Sequence, residues 1–125
     1  MASKLILIID DNQDNRTLVK LALEINSDWK VLTAANGIQG IIQAESTRPD
    51  AIVLDLAMPD LDGLTICEIL KSNLFTCTIP VIFLTTMTHG ETLMYLRNTL
   101  AQGIIMKPFD TLGLRFLIAG ICDWQ

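Results

Sequence analysis

Five polar side chains stand at the ends of short apolar runs, and their types suit one kind of chemistry. They are Asp10, Asp11, Asp55, Thr85 and Lys107. Three carboxylates gathered in one place repel each other unless a cation neutralises them, and Mg²⁺ suits a site of carboxylates, retained waters and phosphate oxygens. An ammonium group and a hydroxyl are suited to the oxygens of a phosphoryl group in transfer. If the fold unites these residues, the predicted chemistry is Mg²⁺-dependent phosphoryl transfer to a carboxylate.

The apolar runs are the strands that must position these residues. The first and third runs are continuous rather than alternating, as expected for strands that are covered on both faces in a parallel sheet. Five strands are predicted, over residues 5–9, 30–34, 51–54, 80–84 and 103–106. All five polar side chains therefore lie at the carboxyl ends of strands.

Helices are predicted between the strands from apolar residues spaced three or four positions apart. Asn12 or Gln13 is the expected cap of the first helix. Asp110 is the expected cap of the last helix, which begins near Thr111. The first four helices are marked by Leu18, Leu21, Ala22 and Ile25, by Ile38, Ile41 and Ile42, by Leu64, Cys67, Leu70 and Leu74, and by Leu93, Leu96 and Leu100.

Five strands alternating with five helices predict an α/β fold, a doubly wound five-stranded parallel sheet with helices on both faces. The expected strand order is 2-1-3-4-5, in which ligands bind at the carboxyl ends of the strands where the winding direction reverses. Strands one and three are then neighbours. This order would bring Asp10 and Asp11 beside Asp55.

Composition narrows the classes of function. The 125 residues fit a single domain, 1–125, and the net charge of −5 with scattered Lys and Arg argues against nucleic acid or an anionic membrane as a partner. The apolar run near the N-terminus is too short for a signal peptide or a membrane span. Cys67, Cys77 and Cys122 lack metal-ligand spacing and are interpreted as reduced thiols, so a cytoplasmic location is expected.

Four segments together resemble the receiver domain of two-component response regulators, the CheY-like fold, over essentially the whole chain. They are Asp10-Asp11, the loop 55–63 with the sequence DLAMPDLDG, Thr85 and Lys107-Pro108-Phe109. The resemblance implies a signalling protein whose Asp55 takes a phosphoryl group from a sensor histidine kinase or a phosphotransfer protein. It also implies no turnover of a separate substrate. We expect a stand-alone receiver that switches its binding to a downstream protein.

The resemblance also assigns roles to individual residues. Asp11, Asp55 and the backbone carbonyl of Ala57 would ligate Mg²⁺ directly, and Asp10 would act largely through a metal-bound water. Thr85 would move to the new phosphate. Lys107 would pair with Asp55 before transfer and with a phosphate oxygen afterwards. The Lys107–Pro108 peptide bond would be cis.

Two positions depart from the family pattern. Ile104 stands where receivers commonly carry Tyr or Phe, so the coupling between Asp55 and the distal face is expected to be altered. Thr86 stands where the family usually has a smaller residue, and its bulk is expected to narrow access to the phosphate. Altered rates of phosphoryl transfer or dephosphorylation are therefore predicted.

The last helix is apolar on several sides. One face must cover the sheet, and an exposed apolar remainder in a protein usually marks an interface. A homodimer through the predicted fourth and fifth helices and the fifth strand, or docking of a partner there, is therefore a hypothesis. The apolar residues are Leu112, Leu114, Phe116, Leu117, Ile118 and Ile121.

Other functions are open on the residues alone. Asp10 and Asp11 could simply favour a helix N-terminus, and a receiver fold that acts as a non-phosphorylated interaction module is the main alternative. A flavodoxin-like cofactor binder would need a phosphate-cradling loop after the first strand, whereas this loop is acidic. A phosphatase with an aspartyl nucleophile would need a second Asp at position 57, where Ala57 stands, and His89 is interpreted as a solvated residue.

Overall fold

The computed structural model describes residues 3–56, 58, 62–86, 94 and 100–124. Five strands form one parallel sheet in the order β2-β1-β3-β4-β5, which confirms the predicted topology. The third strand extends one residue beyond its predicted end, and the fourth begins and ends one residue later than predicted. The strands are β1 Leu5–Ile9, β2 Lys30–Ala34, β3 Ala51–Asp55, β4 Val81–Thr85 and β5 Gly103–Met106.

Four α-helices lie among the described residues. They are α1 Gln13–Glu24, α2 Gly37–Thr47, α3 Gly63–Ser72 and α4 Leu114–Ile121, and a 3₁₀ turn, Thr111–Gly113, precedes α4. Helix α4 corresponds to the fifth predicted helix. The fourth predicted helix falls mostly outside the described residues, and so does His89. None of the described helices is long and apolar enough to span a membrane.

Two apolar clusters cover the two faces of the sheet. On one face the side chains of Ile6 and Ile8 pack with residues of α1 and α4. On the other face Leu7 and Ile9 pack with residues of α2 and α3. Since successive side chains of a strand point to opposite faces, β1 is covered on both sides, as the continuous apolar runs predicted.

The helix starts depend on side-chain caps. Asn12 begins α1 by accepting a hydrogen bond from the Asn15 amide, which confirms one of the two predicted caps. Asp110 accepts from the Leu112 amide at the start of the 3₁₀ turn, as predicted. These caps satisfy amides that have no partner within the helix. They fix where the chain turns after β1 and β5.

The predicted inner faces of the first two helices are partly wrong. In α1 the residues against the sheet are Val19, Ala22 and Leu23, whereas Leu18 and Leu21 are exposed. Ile25, also predicted inward, follows α1 and is exposed. The apolar surface of α1 is wider than the part that contacts the sheet. The spacing of apolar residues therefore predicted an inward-facing stripe that is displaced by about one residue from the observed one.

The second helix approaches the sheet through small residues and through only one of the three predicted isoleucines, Ile41, which packs against the apolar cluster on that face. Gly37, Gly40 and Ala44 are its buried positions, while Ile38 and Ile42 are exposed. A Cβ atom built on Gly40 would lie 2.4 Å from Cδ1 of Ile9. The close packing of α2 on β1 therefore requires glycine at this position.

The third and last helices bury part of what was predicted. In α3 Cys67 and Leu70 are buried as expected, but Leu74 lies beyond the end of the helix and is exposed. In α4 Leu114 and Ile118 are buried. The expected apolar remainder is present on the last helix and the 3₁₀ turn before it, because Leu112, Phe116 and Leu117 are exposed.

Gly40→Ala should lower the free energy of unfolding by about 1–3 kcal/mol, the usual cost of overpacking a core. The methyl group would collide with the fully buried Ile9 side chain. Gly120→Ala in α4 is the matched control, since no atom lies within 4 Å of its added Cβ. That control should be neutral or stabilising by up to about 1 kcal/mol from helix propensity. Urea unfolding measures both, and equal effects would contradict the close approach.

Candidate functional site

The turn between β1 and α1 places two carboxylates at the carboxyl edge of the sheet. Asp10 is buried, and its amide donates to the carbonyl of Ala34 at 3.1 Å. One of its carboxylate oxygens, Oδ1, accepts from the Asn12 amide at 2.9 Å. Asp11 is exposed. The buried carboxylate is therefore fixed by the backbone, and its neighbour Asp11 is accessible to solvent.

Asp55 completes an acidic cluster with these two residues. It is the last residue of β3, which pairs directly with β1, and its side chain is buried. One carboxylate oxygen from each of Asp10, Asp11 and Asp55 lies within 4.8 Å of the others. The predicted convergence of the three carboxylates is confirmed.

The donor set of this cluster fits a hard cation. Every potential ligand is an oxygen, which Mg²⁺ and Ca²⁺ prefer. The second oxygen of Asp10, Oδ2, is buried and has no hydrogen-bond partner among the described residues. A buried acceptor without a donor is costly. A cation that binds the cluster would satisfy it.

Lys107 supplies positive charge beside the cluster. Its Nζ lies 3.8 Å from Oδ1 of Asp55 and 4.0 Å from Oδ2 of Asp10. The Lys107 amide donates to the carbonyl of Thr85 at 2.7 Å, which joins the end of β5 to the end of β4. The Lys107–Pro108 peptide bond is cis, as the resemblance implies. Thr85 is buried at the same edge of the sheet.

The balance of charge is unfavourable to ionisation of Asp10. The pKa of Asp10 is raised from 3.8 to about 6, chiefly by burial. The Asp55 carboxylate also contributes to the rise, whereas the Asn12 amide and the Lys107 ammonium act to lower the pKa. Three carboxylates thus face one ammonium group. In the absence of a bound cation, the folded protein holds a proton on Asp10 more tightly than the unfolded chain does.

A cavity of about 370 Å³ opens beside Lys107 between α1 and the segment that follows β5. Most of its lining residues are apolar. Thr86 is exposed and lines this cavity together with Lys107, the residue that pairs with Asp55. The lining residues are Asn15, Leu18, Val19, Leu84, Thr86, Lys107, Pro108 and Phe109.

Two further predicted positions have different outcomes. Ile104 is half-buried and packs against the apolar cluster on the α2 and α3 face of the sheet. Ala57, predicted to contribute its carbonyl to the metal, lies outside the described residues, as do residues 59–61 of the same loop.

One residue near the site was missed by the sequence analysis. Arg16 donates from Nη1 to the backbone carbonyl of Asp10 at 2.8 Å. The only signal in the sequence is an arginine in the first turns of the helix after an acidic pair. A surface cation on a helix has the same appearance, so the contact could not be inferred from spacing.

Comparisons with known proteins agree with this geometry. The family described as the response regulator receiver domain matches residues 6–118. The DNA-binding dual master transcriptional regulator RpaA of Synechocystis is 37% identical over 105 residues, which cover 84% of this chain and 43% of that protein. The alkaline phosphatase synthesis transcriptional regulatory protein PhoP of Bacillus subtilis is 37% identical over 108 residues, covering 86% of this chain and 44% of PhoP. The chain thus spans less than half the length of these relatives.

A solved structure with the same fold is the chemotaxis protein CheY4 of Vibrio cholerae. It superposes with a TM-score of 0.87 at 27% sequence identity. The match covers 96% of this chain and 99% of that chain. The similarity therefore extends over nearly all of both chains.

The raised pKa of Asp10 predicts how the stability of the metal-free protein depends on pH. The stabilisation from protonated Asp10 should be complete below about pH 4 and lost as the pH rises through about 6. Asp10→Asn should remove this dependence and raise the free energy of unfolding at neutral pH by roughly 1–3 kcal/mol. Thermal unfolding in a chelator across this range tests both statements. A wild-type protein that becomes more stable as the pH rises from 4 to 6 would contradict the assignment.

Proposed function

The chain belongs to the response regulator receiver family of two-component signalling, and from that premise we propose that Asp55 is its phosphoacceptor. The donor would be a phosphohistidine of a sensor histidine kinase or of a phosphotransfer protein. A carboxylate oxygen of Asp55 attacks the phosphorus, the new O–P bond forms as the N–P bond to the imidazole breaks, and the imidazole leaves and takes up a proton. The product is an acyl phosphate on Asp55.

The observation that carries this proposal is the joint position of three carboxylates and one ammonium at a single edge of the sheet. A buried aspartate alone would be unfavourable, but this one lies 3.8 Å from the Lys107 ammonium and within 4.8 Å of two other carboxylates. A carboxylate that acts as a nucleophile is opposed by the negative charge of neighbouring carboxylates. Lys107 supplies positive charge beside Asp55, and the carboxylate oxygens can bind a cation that offsets the repulsion between them.

We propose Mg²⁺ as the cofactor. Asp10, Asp11 and Asp55 would hold it, together with the backbone carbonyl of Ala57. When bound, the ion supplies positive charge that offsets the repulsion between the carboxylates and the phosphoryl oxygens. The buried Oδ2 of Asp10, which has no hydrogen-bond partner among the described residues, supports this assignment.

Lys107 and Thr85 are proposed to act on the phosphoryl group. The Lys107 ammonium pairs with Asp55 before transfer, and afterwards it pairs with a phosphoryl oxygen. The Thr85 hydroxyl donates a hydrogen bond to another oxygen of the same group. Thr85 ends β4 and Lys107 follows β5. The two contacts would therefore couple phosphorylation of Asp55 to the ends of these neighbouring strands.

The output of the phosphorylated state is proposed to be a changed contact with a downstream protein. The exposed side chains of Leu112, Phe116 and Leu117 offer an apolar surface for such a partner or for a second copy of the chain. We propose that the chain turns over no separate substrate and acts in the cytoplasm. Its three free thiols support a reducing compartment.

Incubation with a small phosphodonor and Mg²⁺ should add one phosphoryl group to the protein, seen by intact mass. Asp55→Asn should abolish the adduct, because an amide is not a nucleophile of this kind, and a chelator should reduce it strongly. Asp14→Asn is the matched control, since Asp14 is an exposed aspartate in the first turn of α1 outside the acidic cluster. It should retain the adduct.

Other results of this experiment would contradict the proposal in different ways. An adduct that survives Asp55→Asn would place the acceptor on another residue. Absence of both an adduct and Mg²⁺ binding in the wild-type protein would favour the alternative of a non-phosphorylated interaction module.

Thr86→Ala should alter the lifetime of the phosphorylated state. The smaller side chain widens the cavity beside Lys107 and admits water more easily. Dephosphorylation should accelerate by up to about tenfold, since a lost methyl and hydroxyl at a cavity wall change a barrier by no more than about 1.4 kcal/mol. The decay of the adduct mass with time measures this rate, and Thr17→Ala on the exposed surface of α1 is the control. Unchanged rates of both phosphorylation and decay would refute a gating role for Thr86.

A further inference from the structure

We propose that Arg16 is a positioning residue that holds the Asp10–Asp11 peptide in the orientation that metal binding requires. Its guanidinium donates from Nη1 to the carbonyl oxygen of Asp10 at 2.8 Å. The inference depends on the metal site proposed above. It assigns to this arginine a role that neither a surface charge nor an ordinary helix residue would have.

The peptide that Arg16 contacts determines where Asp11 lies. The other two anchors of Asp10 are its amide, bonded to Ala34, and its carboxylate, bonded to the Asn12 amide. The carbonyl belongs to the peptide unit that leads into Asp11. Among the described residues no hydrogen bond holds the exposed carboxylate of Asp11 itself. Its place in the acidic cluster therefore depends on the backbone that Arg16 fixes.

Arg16 is built to hold this contact. It lies in the first turns of α1, where its own amide donates to the carbonyl of Asn12 at 3.0 Å, and its side chain is half-buried. Arg16 lines a small cavity with Thr17, Lys20 and Thr33. Burial of part of the side chain limits its rotamers, so less entropy is lost when the hydrogen bond forms.

The guanidinium of Arg16 makes a hydrogen bond to the backbone rather than an ion pair with any described residue. Within the described part of the chain it forms no salt bridge of 4.0 Å or less, although three carboxylates lie near the peptide that it contacts. Its hydrogen bond goes to a backbone carbonyl instead. A guanidinium that served only to neutralise the cluster would be expected to contact a carboxylate.

Positioning and simple charge predict opposite effects on metal affinity. A nearby cation repels Mg²⁺, so loss of Arg16 as a mere charge should tighten Mg²⁺ binding. Loss of Arg16 as a positioning residue should weaken it, because the Asp10–Asp11 peptide becomes free to turn. The sign of the change therefore separates the two roles.

Isothermal calorimetry with MgCl₂ at fixed ionic strength measures this sign. Arg16→Met should weaken Mg²⁺ binding by about tenfold, the lower end of what loss of a residue supporting metal ligands costs. Arg16→Lys, which keeps a donor of similar reach, should restore part of the affinity. Arg48→Met is the control: it removes a positive charge at the carboxyl end of α2, where Arg48 packs on Phe75. It should leave Mg²⁺ affinity unchanged.

A second measurement separates positioning from a general loss of stability. At saturating Mg²⁺ the phosphorylation rate of Arg16→Met should return close to the wild-type value, because the deficit lies in metal binding. If Arg16→Met does not fold in a chelator, Arg16→Gln is the milder neutral replacement. The direction of its change in Mg²⁺ affinity is then interpreted in the same way.

The outcomes distinguish failure of this inference from failure of the metal site. Mg²⁺ binding that is unchanged or tighter in a folded neutral variant, with normal wild-type binding, overturns the role of Arg16 and leaves the proposed function intact. A wild-type protein that binds no Mg²⁺ overturns both.

Discussion

One carboxylate oxygen from each of Asp10, Asp11 and Asp55 lies within 4.8 Å of the others, and the Lys107 ammonium lies beside them. This crowding of like charges is the constraint on which the rest of the structure depends. Two of these carboxylates are buried, so water screens their repulsion poorly. The arrangement is unfavourable by itself, as the raised pKa of Asp10 indicates. It persists because it is attached to the ends of a rigid sheet. The same repulsion favours the binding of a cation.

The rest of the fold serves to keep those strand ends together. β1 and β3 are adjacent and covered on both faces, so the ends that carry Asp10 and Asp55 cannot separate without exposing both apolar clusters. The glycine at position 40 allows α2 to lie close against β1. Asn12 starts α1 immediately after the acidic pair, which keeps the turn short. The Arg16 guanidinium adds a hydrogen bond to the Asp10 carbonyl within this turn.

The strands and the acidic cluster could be predicted from sequence because each depends on a local signal. Continuous apolar runs identify buried strands, and a polar residue directly after each run must lie at the edge of the sheet. The inner faces of the helices depend on packing between distant segments. Leu18 and Ile38 fit a helical stripe as well as Val19 or Ala44 does, and only the tertiary structure decides between them. For the same reason, no sequence pattern could reveal that the Arg16 guanidinium bonds the Asp10 carbonyl.

The central claim is that the fold makes Asp55, rather than either of its acidic neighbours, the residue that receives the phosphoryl group. Borohydride reduces an acyl phosphate to an alcohol, so treatment of the phosphorylated protein converts the acceptor aspartate to homoserine. Peptide mapping by mass spectrometry then locates the change. We predict homoserine at position 55 alone. Homoserine at position 10 or 11, or a phosphoryl adduct that gives no homoserine, would contradict the assignment.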